Sequence, residues 1–131
     1  MKILQPPDWV QPKGYANGIS AEGRLVFVAG QIAFDATGKL VGSDVVTQTR
    51  QALHNVVTVL AAGNARPAHV TRMTWYVKDK RDYLAQAPRI GEIYREYMGR
   101  HYPAMTLIQV ADLLEQGALI EIEATAVVPK E

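Results

Sequence analysis

Glu121 and Glu123 are the carboxylates whose spacing constrains them most in this sequence. They lie in the run Ile120-Glu121-Ile122-Glu123-Ala124. Alternation of apolar and polar residues predicts a strand whose successive side chains point to opposite sheet faces. At about 3.4 Å rise per residue, the two carboxylates share one face, roughly 7 Å apart. Two such groups on one sheet face must meet water, a partner chain or a site. The second informative stretch is His101-Tyr102-Pro103-Ala104-Met105-Thr106. Met105 can donate no hydrogen bond and has no acid–base chemistry, so by type it is a hydrophobe and not a catalytic group. Tyr15 is a phenol that can pack or hydrogen-bond, and Gly30 is read as serving backbone geometry alone.

Other chemistry is excluded by what the sequence lacks. It contains no cysteine, so disulfides and thiolate catalysis are ruled out. His54, His69 and His101 fall in different predicted elements, with no histidine pair at helical spacing, so no metal site is expected. Gly38-Lys39 fails as a phosphate loop, because Ala33 and Leu40 stand where glycine and Ser or Thr are needed. There is no G-x-S-x-G elbow and no dinucleotide fingerprint, and no cofactor is expected. Fourteen basic and thirteen acidic residues leave a net charge of +1, which gives no footprint for nucleic acid. Arg66, Arg72, Lys78, Lys80 and Arg81 read as a solvated strand end. No apolar run is long enough to cross a membrane, the N-terminus has no signal-type core, and the cytoplasm is the default compartment. With 131 residues, one domain over 1–131 is expected.

The elements that must position these residues follow from the hydrophobic pattern. Residues 5–14 are rich in proline and read as an extended lead-in. The run 25–30 predicts a buried strand, and 35–38 a turn, with a short strand at 39–42. Val46, Thr49, Leu53, Val56, Val57 and Leu60 recur at three-or-four spacing and predict a helix, capped by Ser43 with Asp44 beside it and stopped at Gly63. A β-rich strand follows at 70–78. A second helix is expected from a cap at Asp82 to about Met98, with Pro88 either dividing it or starting it, and Gly99 ending it. Strands at 105–110 and 118–128 complete the order, joined by 111–117. In the last strand Ile120, Ile122, Ala124 and Ala126 form the core face; Leu119, Glu121, Glu123 and Thr125 form the other. The expected class is α+β, a mixed sheet with two helices on one face and its other face turned to a second subunit.

Several segments together resemble the Rid family of reactive intermediate deaminases, also called YjgF-like or L-PSP endoribonuclease-like proteins. They are 14–18, 25–31, 48–56, 70–79, 92–94, Pro103-Ala104 and 121–124, which span most of the chain in the family's order. The resemblance implies a chorismate-mutase-like fold and a homotrimer around a central barrel, with small-molecule clefts between subunits. In the family's deaminases an arginine clamps the carboxylate of a 2-imino acid, and an acidic residue on the last strand positions the attacking water. Carried over by position, Tyr15, Gly30 and Glu121 match, with Glu121 and Tyr15 in catalytic places. Ala29 stands where serine is usual, Gly91 where asparagine is usual, and Met105 where arginine is usual. Losing a two-pronged charged contact forfeits about 3–5 kcal/mol of grip on a carboxylate. Two functions stay open: hydrolysis of an imine or enamine other than the usual 2-imino acids, and non-catalytic binding of a small molecule in the same cleft.

Overall fold

The computed structural model of the chain describes residues 1–130. Its core is a four-stranded mixed sheet in the order β3-β6-β4-β5. The strands are β3 (Arg24–Gln31), β4 (Val70–Val77), β5 (Ala104–Gln109) and β6 (Ile120–Val128). β6 runs antiparallel to both β3 and β4, while β4 and β5 are parallel. A parallel pair needs a crossover. Two helices supply it, the short α2 (Lys80–Ala85) and α3 (Ala87–Met98), and α1 (Val45–Ala62) packs beside α3 on the same side of the sheet.

The alternation of β6 is realised residue by residue. Ile120, Ile122, Ala124 and Ala126 are buried against α1, and Glu121, Glu123 and Thr125 lie half-buried on the uncovered face. Leu119 precedes the strand and packs partly against the core, so it does not extend the acidic face as expected. Leu53, Val56 and Leu60 of α1 are fully buried on the stripe that the spacing predicted. Gln48 is buried among them. Its amide donates to Gly42 O at 3.1 Å and Gly117 O at 2.9 Å, and it accepts from Leu119 N at 2.8 Å. Every polar end of the side chain is thus satisfied, and the connection into β6 is anchored to α1.

Several boundaries differ from expectation, each for a local reason. Asp44, not Ser43, caps α1: Thr47 N donates to its carboxylate at 2.8 Å, and Thr47 Oγ1 does the same at 2.8 Å. Asp79 takes the cap expected of Asp82, accepting from Arg81 N at 2.9 Å. The expected second helix is divided at Gln86, with Pro88 in the first turn of α3, so the helices among the described residues number three, with a 3-10 turn at Pro67–His69. Residues 39–42 form no strand; Leu40 makes a single bridge to Phe34. The N-terminus contains a small antiparallel pair, β1 (Lys2–Leu4) and β2 (Gly18–Ser20), which flanks the lead-in.

Candidate active site

β3 carries a bulge opposite Glu123, beside Glu121 on the same face. Its register with β6 shifts between Val28 and Gln31, inserting an extra residue at Ala29 and Gly30. Gly30 is thereby pressed against the Glu121 side chain. A Cβ at Gly30 would stand 2.9 Å from Cδ and 3.0 Å from Cγ of Glu121, and closer still to Oε2. No side chain larger than hydrogen fits there unless the carboxylate moves. The two acidic residues of β6 are therefore in different states. Glu123 accepts a 2.6 Å hydrogen bond from the Tyr76 hydroxyl, whose pKa is raised chiefly by that bond. Glu121 accepts no hydrogen bond among the described residues. It lies opposite Tyr76 in the ladder, on the same uncovered face. Ala29 lines a shallow hollow of about 350 Å³ on this face, with Phe27, Arg72, Thr74, Glu123 and Thr125.

Met105 and Gly91 belong to a different place. They share a cleft of about 270 Å³ with Gly14, Trp75, Tyr83, Tyr94, Arg95 and Tyr102. Met105 pairs with Met73 across the parallel β4–β5 ladder, and Met73 is fully buried, so both lie on the helix-covered side of the sheet. Tyr15 lies half-open beside this cleft: Ala16 N donates to Pro103 O at 2.9 Å, and Ala16 bridges to Ala104. The structure thus brings Gly30, Ala29 and Glu121 to one face of the sheet and Tyr15, Gly91 and Met105 to the other. Within one protomer, position 105 does not meet Glu121.

The cleft's walls are aromatic, a feature the sequence reading missed. Tyr94 and Tyr102 stack at 5.4 Å between ring centroids, and Trp75 meets Tyr94 at 6.1 Å and Tyr83 edge-on at 6.4 Å. Such pairs stabilise by about 0.5–1.5 kcal/mol each beyond their burial. Burial raises the pKa of the Tyr83 and Tyr94 hydroxyls, and Tyr94 donates to His101 O at 2.5 Å. Both phenols stay neutral at physiological pH. Four aromatics spaced along 75–102 were the available signal, but they come from β4, α2, α3 and the approach to β5, so their convergence is tertiary. Among the described residues, no three His, Asp or Glu side chains gather to hold a metal ion, and no helix is long and apolar enough to cross a membrane.

Comparison with known proteins adds relatives to this geometry. The profile of the family described as Endoribonuclease L-PSP matches residues 10–128. A RutC family protein of Pyrococcus horikoshii is 39% identical over 113 residues, covering 86% of this chain and 85% of that one. The human 2-iminobutanoate/2-iminopropanoate deaminase is 34% identical over 105 residues, covering 79% of this chain and 73% of its own length. Among solved structures, the Rid-family protein YyfB from Yersinia pestis superposes with a TM-score of 0.85 at 34% identity, covering 97% of this chain and 98% of the other.

Proposed function

We propose that this chain, which belongs to the Rid (YjgF, endoribonuclease L-PSP) family, is a hydrolytic deaminase of imines or enamines other than the usual 2-imino acids. It would work as a homotrimer with its clefts between subunits. The observation that carries the reading is Glu121: a half-buried carboxylate set against the Gly30 bulge and taken by no donor among the described residues. A structural carboxylate in such a place is normally hydrogen-bonded, as Glu123 is. One that is held and unpaired is available to water.

The division of the residues supports such an assembly. Glu121 and Gly30 lie on the open face near the β3 edge, and Tyr15, Gly91 and Met105 lie at the β5 edge on the other side. Complete clefts would form where the β5 edge of one copy meets the open face of the next. The exposed apolar residues Leu25, Phe27 and Ile108 of that face support its burial in an assembly. In the proposed step Glu121 takes a proton from water as the oxygen attacks the carbon of the protonated imine, giving a neutral carbinolamine. Glu121 returns that proton to nitrogen, the C–N bond breaks as the hydroxyl gives its proton to solvent, and a carbonyl compound and ammonia leave. Met105 supplies no cation for a carboxylate on the reacting carbon. The aromatic walls favour a substrate with an apolar body.

A second reading, a non-catalytic binding protein, draws on Ala29, Gly91 and Met105, three positions without a hydrogen-bonding side chain. The discriminating experiment generates imines with no carboxylate on the reacting carbon, in situ with an amine oxidase, and follows carbonyl release. Acceleration by the wild type, lost by about a hundredfold or more in Glu121→Gln, is the expected result. A Glu121→Gln variant as active as the wild type would overturn the catalytic reading.

A further inference from the structure

Met105 gives this cleft no cation, but Arg95 does. Arg95 lines it from α3, one helical turn beyond Gly91. A Cβ at Gly91 would come 3.4 Å from Arg95 Nη1 and, beyond its chain neighbours and the helix backbone, meet no other atom within 4 Å, so the guanidinium lies over the space that the glycine leaves. The carboxylates nearest in sequence are engaged elsewhere. Glu92 is paired with Arg89 at 3.3 Å and Glu96 with Arg50 at 2.6 Å. Among the described residues Arg95 has neither an ion-pair partner nor a side-chain hydrogen bond. A second, independent feature of the same cleft is Trp75. It is 2% exposed, and its Nε1–H is buried without an acceptor. A buried donor left unmade is costly, and an acceptor from a ligand would relieve that cost.

We propose that Arg95 is the anion-binding residue of this cleft, and that the ligand is a carboxylate, or a like anion, carried on an apolar or aromatic body. The proposal rests on reading the cleft as a ligand site, as above, and specifies what enters it. The charge is held from the helix wall rather than from β5, so the anionic group sits away from position 105. Trp75, Tyr83, Tyr94, Tyr102 and Met105 surround the body of the ligand. A small 2-imino acid would leave most of the 270 Å³ unfilled. Glycine at 91 belongs to the same device, because a side chain there would compete with the guanidinium for its place.

The test is calorimetry on the intact protein with 3-phenylpropionate and its neutral amide as probes. The wild type is expected to bind the carboxylate about tenfold or more tightly than the amide, with a preference that weakens in high salt. Arg95→Gln should abolish the preference by weakening the carboxylate alone, and Arg95→Lys should restore part of it. Gly91→Ala, which crowds Nη1 from a helix position that favours alanine, should reduce it without unfolding α3. Trp75→Phe tests the unpaired donor and should weaken both probes. Equal affinities for the two probes in the wild type, failure to bind either, or a preference that survives Arg95→Gln would each overturn the proposal. Absence of deaminase activity would count against the reaction proposed above and leave these affinities where they are.

Discussion

Gly30→Ala tests the site with one methyl group. The new Cβ would stand 2.9 Å from Glu121 Cδ, where ordinary contact begins near 3.4 Å, and its overlap with Oε2 is deeper. What gives way is the end of a flexible side chain, not backbone. The carboxyl carbon must therefore retreat by about half an ångström, and Oε2 by roughly an ångström or more. Gly30 is not among the positive-φ glycines, so alanine can adopt its backbone. Stability should then stay within about 1 kcal/mol of the wild type. Misplacing a reacting group by about 1 Å costs on the order of a hundredfold in rate. The assay is carbonyl release from oxidase-generated imines, run beside a thermal melt of the same preparation. A drop of about a hundredfold in a protein that melts normally is expected. A normally folded variant with the wild-type rate would refute the claim that Gly30 exists to seat the Glu121 carboxylate.

Three further outcomes are expected. Light scattering at micromolar concentration should give the mass of three chains; a monomer would contradict the use of the open face as an interface. Met105→Arg should raise affinity for small 2-oxo acids by about tenfold to a hundredfold without yielding a full deaminase, since Ala29 and Gly91 still lack polar side chains; calorimetry showing equal affinities would remove position 105 from the ligand's path. Asp44→Ala should cost about 1 kcal/mol through loss of the α1 cap. Its carboxyl pKa is lowered by the Thr47 N–H first and the Thr47 hydroxyl second. A lowered folded value means that the stabilisation is complete above the ordinary aspartate range and is lost as pH falls through the folded value. Urea melts should therefore show the gap between variant and wild type at neutral pH and its closure in acid.

What was legible in the sequence was whatever repeats locally. The period of two in β6 and the three-or-four spacing of α1 fix which side chains face the core, because burial acts on every repeat. Gly63 and Gly99 ended their helices as read. Caps were less secure, since Ser43 and Asp44 compete for one position and only the path of the chain decides. The β1–β2 pair has three residues per strand and joins segments more than a dozen residues apart, so no turn signal announces it. The site divides in the same way. Resemblance directed attention to Gly30 and Glu121, but their contact depends on a bulge in the β3–β6 register, which no single segment encodes. Arg95 escaped because its meaning lies in Gly91 one turn away and in the prior engagement of Glu92 and Glu96 by other arginines.

The central claim is that the site is built from opposite faces of two copies. Co-assembly of two defective chains tests it most directly. Glu121→Gln removes the carboxylate half, and Gly91→Phe fills the aromatic half from a helix position where a Cβ meets only Arg95 Nη1. Each variant alone should be inactive in imine hydrolysis. Co-expressed with different tags and purified as mixed trimers, they should regain activity in about a third of the sites, because every mixed trimer has one boundary of three that joins two intact halves. Mixed trimers as inactive as their parents would contradict a shared site and place the chemistry, if any, within a single chain.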